Sequence, residues 1–222
     1  MIPYIITIIA VIAVIAVSIF YTTKNKLSHT IDNLYTNMSG SAADTSGYDP
    51  KYALTYGEIT QKGIEKLVTI FNNKRDISTY PSDRRVFYDL GSGIGKNVIV
   101  VAMSVPSITS KGIELVKDRH TMAMTAYGSL SPSLQERIQF TNGSLFDYTI
   151  SDAAWIFISN LCFTPELNKE LNQKLIKEAQ INTLIACSKA LELDDSFHRF
   201  SNIQIPMTWS DDSELYFYVK LT

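Results

Sequence analysis

Cysteine and histidine are scarce in this chain of 222 residues: Cys162 and Cys187, and His29, His120 and His198, are all it has. The two thiols form no CxxC and the histidines are widely scattered, so neither a zinc framework nor a disulfide scaffold can be assembled, and no metal site is expected. Two buried thiols in a reducing compartment fit this usage. An excess of basic charge is also missing. Twenty Lys and Arg stand against 22 Asp and Glu, for a formal net charge of −2. Without a dense Lys/Arg run, the chain has no bulk footprint for nucleic acid, and neither nucleic-acid nor nucleosome binding is expected. No internal repeat is present, and no GxxxxGK[ST] phosphate loop: Gly95-Lys96 is followed by Asn97, and Leu90 stands where the first glycine belongs.

Charge is absent altogether from Ile2–Tyr21, a run of 20 residues. As a helix such a run measures roughly 30 Å, the thickness of a bilayer core. Tyr4 and Tyr21 sit at interfacial positions, and Lys24 and Lys26 follow the run with no basic residue before it. The expectation is a single-pass anchor over 1–22, with the catalytic domain facing the cytosol. Residues 23–50 are polar and include Ser39–Gly47 (SGSAADTSG), which reads as a flexible linker. The remaining 51–222 would form one domain.

In that domain the hydrophobic period alternates between strand and helix. Tyr56–Asn73 places Ile64, Leu67, Val68 and Phe71 on one helical face. Strand-like runs follow at Val86–Leu90, Lys111–Leu115, Arg137–Thr141, Ala153–Ser159 and Thr183–Ser188. Helices are expected between them at Lys96–Val105, at Lys117–Gly128 and after Thr164-Pro165-Glu166, where threonine caps, proline takes the first turn and glutamate faces the positive helix end. Two β-rich stretches, Phe200–Trp209 and Leu215–Leu221, close the chain as a hairpin. This order predicts an α/β fold: a Rossmann-like, open, mostly parallel sheet with helices on both faces and a C-terminal antiparallel pair.

The chemistry centres on Val86–Lys96, VFYDLGSGIGK. A buried strand ends in Asp89, and Gly91, Gly93 and Gly95 then make a turn whose backbone can approach a ligand closely. The spacing is DxGxGxG, one residue short of the dinucleotide GxGxxG. It resembles the first motif of the Rossmann-like S-adenosylmethionine methyltransferases. There the loop faces the methionine part of the cofactor, and an acid at the end of the second strand holds the ribose hydroxyls. Glu114, 19 residues beyond Gly95, is placed for that role.

Several separated segments also resemble a narrower group, the disruptor-of-telomeric-silencing type of protein lysine methyltransferases, which modify a lysine in a histone core. Tyr56-Gly57-Glu58 resembles that family's segment closing over the cofactor. Phe87–Gly95 resembles its first motif and Gly112-Ile113-Glu114 its ribose-binding strand end. Ser159–Glu166 (SNLCFTPE) resembles its asparagine-aromatic-Pro-Glu motif, and Trp209 and Tyr216 its late Trp…Tyr pair. The resemblance implies S-adenosylmethionine as cofactor, bound by Tyr56, Glu58, Asp89, Gly91, Ser92, Gly93, Gly95, Lys96, Glu114, Ser144, Leu145 and Asn160. It implies methyl transfer to the ε-amine of a protein lysine, with Ser159, Asn160, Phe163, Trp209 and Tyr216 around the reacting amine. The chain is expected to be a monomer. Two positions depart from the pattern: Ser159 replaces the first of two asparagines, and Ser144 replaces an acid that accepts from the adenine amine. The alternatives are a methyltransferase acting on a small molecule or a lipid at a membrane, and a catalytically weak cofactor-binding scaffold. Trp155, inside its strand, is read as packing.

Overall fold

The structure is a computed structural model that describes residues 27–49, 52 and 54–222. It divides into two units, Met1–Thr36 and Asn37–Thr222. In the first, the described part is a helical run over 27–34. The anchor expected at 1–22 lies outside the described residues. Among the described residues no helix is long and apolar enough to cross a membrane. The expected single-pass membrane localisation is corrected on that finding.

The second unit is a seven-stranded sheet in the order β3-β2-β1-β4-β5-β7-β6. Its strands are β1 (Val86–Leu90), β2 (Thr109–Glu114), β3 (Ile138–Asn142), β4 (Ala153–Ile158), β5 (Leu184–Cys187), β6 (Phe197–Met207) and β7 (Ser210–Lys220). The first five run parallel, while β7 pairs antiparallel with both β5 and β6. The helices are α1 (Gln61–Lys74), α2 (Lys96–Ser104), α3 (Lys117–Gly128), the single turn α4 (Pro132–Gln135) and α5 (Pro165–Glu178).

Side chains alternate across a strand, so neighbouring residues serve opposite layers. Phe71 of α1 meets Trp155 at 5.3 Å and Phe217 at 5.8 Å between ring centroids, which makes Trp155 a packing residue as expected. The next residue along each of those strands, Ile156 and Tyr218, turns to the other face, where Leu171 and Leu175 of α5 complete a second core. Both faces of β1 and β4 are covered, and every residue of those two strands is buried, as central parallel strands require.

Three boundaries differ from expectation for local reasons. Helix α1 begins at Gln61 rather than Tyr56, because Thr60 caps it by accepting the Gly63 N–H at 3.1 Å, and Ile59 pairs instead with Met207. The terminal strands are longer than expected and meet in a tight turn at Thr208-Trp209, so Trp209 sits at a hairpin tip. Part of the polar stretch expected as a linker lies on the domain: Asp118 Oδ2 accepts the Asp44 N–H at 3.0 Å, and the Tyr48 hydroxyl accepts the Lys117 N–H at 2.8 Å.

Candidate active site

Strands β1, β2 and β3 are added in one direction, and β4 and β5 in the other. The chain order therefore reverses between β1 and β4, and the crevice beyond their carboxyl ends is where open α/β sheets bind ligands. A cleft of about 990 Å³, counted out to its open mouth, lies there. Its floor carries Asp89 from β1, Glu114 from β2 and Phe157 and Ser159 from the end of β4. Its wall is Gly91–Gly93, and its roof is Leu54–Ile59.

The glycine turn is built around the end of β2. The Ile113 carbonyl accepts both the Gly91 N–H and the Ser92 N–H, at 2.9 and 3.0 Å. This reversal holds Gly91 at φ +88°, with open space where a Cβ would stand. Gly95, at φ +82°, serves packing instead. A Cβ there would sit 2.5 Å from the Phe140 ring, so the glycine lets α2 start close against β3. Gly93 N–H donates to Glu114 Oε2 at 2.8 Å, and Val116 N–H to Oε1 at 2.9 Å. Loop and carboxylate are thus one assembly. An ionised carboxylate offers about four acceptor positions, and these bonds use two of them.

The cleft is acidic. Asp89 and Glu114 are 3% and 5% exposed, and Glu58 faces them from the roof. Burial pushes the Asp89 carboxyl well above the ordinary aspartate range; the Asn97 side chain beside it opposes this, and the charges of Glu114 and Glu58 add to it. Burial also raises Glu114, against the N–H groups of Val116 and Gly93 and the Arg119 guanidinium. Two cations answer the three acids: Lys96 Nζ lies 3.6 Å from Glu58 Oε2, and Arg119 Nη1 lies 4.0 Å from Glu114 Oε1. A ligand with a positive centre would relieve the remaining repulsion. The Tyr56 hydroxyl donates to the Glu58 carboxylate, and burial followed by that negative charge raises its own ionisation far above the phenolic range.

The roof is stapled to the hairpin tip. Glu58 N–H donates to Thr208 Oγ1 at 3.0 Å, Thr208 N–H to the Glu58 carbonyl at 2.8 Å, and Thr60 N–H to the Pro206 carbonyl at 3.1 Å. Trp209 lies over Gly57 so closely that a Cβ there would stand 2.3 Å from its ring.

Of the residues singled out from the sequence, Tyr56, Glu58, Asp89, Gly91, Ser92, Gly93, Lys96, Glu114, Ser144, Leu145, Ser159 and Phe163 all line the cleft. Four do not. Gly95 packs the start of α2. Asn160 is wholly buried; its Oδ1 accepts the Lys189 N–H at 2.9 Å and its Nδ2 donates to Asn168 at 2.8 Å, so it ties the end of β4 to α5 and to the chain after β5. Trp209 stands at the rim, 42% exposed. Tyr216 packs beside the α5-side core and donates to Glu214 Oε2 at 2.6 Å. The expected channel of Phe163, Trp209 and Tyr216 therefore has one member in the cleft, one on its rim and one in the sheet. Ser144 turns its hydroxyl toward the Phe146 N–H at 3.3 Å, closing a local turn at the β3 end. Arg119 belongs to no motif, and sequence reasoning passes over it. A basic residue one helical turn beyond a strand-end acid is the signal that points to it.

Comparison with known proteins shows the family and the fold. The family described as "Histone methylation protein DOT1" matches residues 35–219. A histone-lysine N-methyltransferase, H3 lysine-79 specific, of Caenorhabditis elegans is 30% identical over 148 residues, 62% of this chain and 15% of that protein. The chain thus spans about one seventh of that relative's length. Among solved structures, an RNA methyltransferase from Salinibacter ruber in complex with S-adenosyl-L-homocysteine superposes with TM-score 0.51 at 21% identity, covering 71% of this chain and 92% of the other. The glycopeptide N-methyltransferase MtfA complexed with sinefungin gives 0.54 at 9% identity, covering 86% and 97%. TrmN from Thermus thermophilus gives 0.53 at 14%, covering 70% and 48%. At such identities these three show a shared fold.

Proposed function

The chain belongs to the DOT1 family of histone methylation proteins, and from that premise we propose that it transfers a methyl group from S-adenosylmethionine to the ε-amine of a lysine in a protein. The observation that carries the proposal is the Glu114 carboxylate, locked to the glycine turn by the Gly93 N–H at 2.8 Å and left with acceptor capacity toward the cleft. A vicinal diol is the natural partner for such an acid. The cavity fits the cofactor in three respects: a glycine turn open at Gly91, a strand-end acid, and a buried carboxyl at Asp89 whose ionised form a sulfonium or an ammonium would favour.

Bound in this cleft, S-adenosylmethionine supplies a methyl group activated by its positive sulfur. In the proposal Glu114 holds the ribose, Asp89, Gly91–Gly93 and Lys96 surround the methionine portion, and Gly143–Leu145 border the base. Ser144 offers that base a hydroxyl in place of a carboxylate. The roof residues Tyr56 and Glu58 keep water out. The amine must arrive neutral and about 3 Å from the carbon it attacks. Phe163 and Trp209 supply the apolar surroundings that favour the neutral amine by penalising its charged form. Glu58, half-buried at the cleft and adjoining Lys96 and Tyr56, is a carboxylate able to take up the proton the amine gives up.

The test incubates the full chain with methyl-labelled cofactor and three acceptor pools: core histones, total cell protein and a deproteinised metabolite extract. Label in protein that resists extraction supports the reading, with core histones the first pool to examine because of the specificity named for the nematode relative. Label confined to the extract favours a small-molecule acceptor. One observation supports that second reading: Tyr216 does not line the cleft, which leaves its mouth wider than a three-sided aromatic channel.

A further inference from the structure

Arg119 is 6% exposed and lies in the first turn of α3. A guanidinium is kept in such a place only where its charge and its N–H groups are answered. Its Nε donates to the Gly40 carbonyl at 3.0 Å and its Nη2 to the Leu54 carbonyl at 2.7 Å. Its Nη1 approaches Glu114 Oε1 at 4.0 Å, and its plane stands over the Tyr56 ring with the central carbon 4.8 Å from the centroid. The carbonyls of Gly40 and Leu54 thus fix the cation, which stands within ion-pair range of the acid on the cleft floor and against the aromatic ring of its roof. The Tyr56 ring in turn lies where a Cβ on Gly40 or Gly93 would stand, at 2.1 and 2.9 Å, so both glycines let it seat closely.

We propose that Arg119 is a positioning residue for cofactor binding, holding Glu114 and Tyr56 in the arrangement that receives the ribose and covers it. The inference rests on the function proposed above. Lysine cannot replace it, since a single ammonium has no fork with which to reach two carbonyls, an acid and a ring at once. The charged groups facing Glu114 from the surrounding elements are Asp89 of β1, Arg119 of α3, Glu58 of the roof and Lys96 of α2, and Arg119 is the cation in contact with it. Removing that cation raises the Glu114 pKa further. Cofactor binding that needs the ionised carboxylate then fails at a higher pH than in the native protein.

The experiment measures S-adenosylmethionine affinity by calorimetry across pH, methyl-transfer kinetics, and hydrogen exchange of residues 39–49 and 54–58. It uses the native full chain, Arg119→Lys and Arg119→Gln. A third variant, Tyr48→Phe, loosens the neighbouring contact to Lys117 without touching Glu114. Both Arg119 variants are expected to bind the cofactor about tenfold or more weakly, the scale of a lost charge-assisted contact. Their KM for cofactor rises more than kcat falls, and Arg119→Gln shifts the acid limb of binding to higher pH. Tyr48→Phe speeds exchange at 39–49 and leaves that acid limb in place. Native-like affinity and pH profile in folded Arg119 variants overturn the inference, even where their melting temperature drops. A native chain that binds no cofactor overturns the proposed function and this inference with it.

Discussion

Replacing Glu114 by alanine removes the acid that β2 delivers to the cleft. In the native protein its two oxygens accept from Gly93 and Val116 at 2.8 and 2.9 Å, which leaves about two acceptor positions for a diol. A hydrogen bond to a charged group contributes roughly 1.5–3 kcal/mol, so two lost at the lower bound amount to about 3 kcal/mol, or about 100-fold in Kd. Water entering the vacated space recovers part of this, and the expected weakening is at least about tenfold. A second effect is separate: two buried N–H groups lose their acceptor, at about 1–3 kcal/mol each in stability. Calorimetry with the full chain and a parallel thermal melt distinguish the two. Glu114→Gln, which keeps one acceptor oxygen and loses the charge, should fall between native and alanine. S-adenosylhomocysteine carries the same ribose, so its affinity should drop by the same factor as that of S-adenosylmethionine. A folded Glu114→Ala protein with native affinity would refute the assignment, and a loss confined to the charged cofactor would show that the acid senses the sulfonium and not the diol.

Other substitutions separate the parts of the site. Asp89 is buried with a raised pKa, so its ionised form opposes folding: stability from this position is fully present below the unfolded pKa and is lost as pH rises through the folded one. Asp89→Asn should therefore raise the melting temperature of the cofactor-free protein at pH 8, by about 2–4 °C per kcal/mol gained, with the difference shrinking toward pH 4, while weakening the cofactor; a lower melting temperature at pH 8 contradicts this. Gly57→Ala puts a methyl group into the Trp209 ring and should displace the hairpin tip, leaving cofactor Kd within about threefold and cutting kcat by about tenfold or more, measured side by side with Trp209→Ala. Asn160→Ala breaks the contacts to Lys189 and Asn168 and should cost about 1–3 kcal/mol of stability by denaturant titration, with little change in cofactor affinity; a large affinity loss without destabilisation would return Asn160 to the cofactor site.

The features legible from the sequence are those whose cause is local. The glycine turn, the acids ending β1 and β2, the all-apolar β4 and the Thr164 cap of α5 each declare themselves within a few residues, and the mostly parallel character of the sheet follows from the alternation of strand and helix. What escapes depends on partners far along the chain. Arg119 meets Gly40 and Leu54 across separations of 79 and 65 residues, and its nearness to Glu114 is the one local sign that it is more than a helix cation. Asn160 belongs to a persuasive motif, yet its amide is used within the scaffold. The start of α1 is set by the Ile59–Met207 pairing, which overrides the helical reading of Tyr56–Thr60. The hairpin is longer than its pattern suggests because Ser210–Asp212 at its tip and His198-Arg199 near its open end are exposed on successive residues and so show no alternation.

The central claim is that the cleft delivers a methyl group to a lysine. Incubating the full chain with trideuteromethyl cofactor and core histones, then locating the label by tandem mass spectrometry, tests it most directly. The account predicts labelled lysine that disappears with Glu114→Ala. Label on another residue type, or none from a chain that demonstrably binds the cofactor, would contradict it.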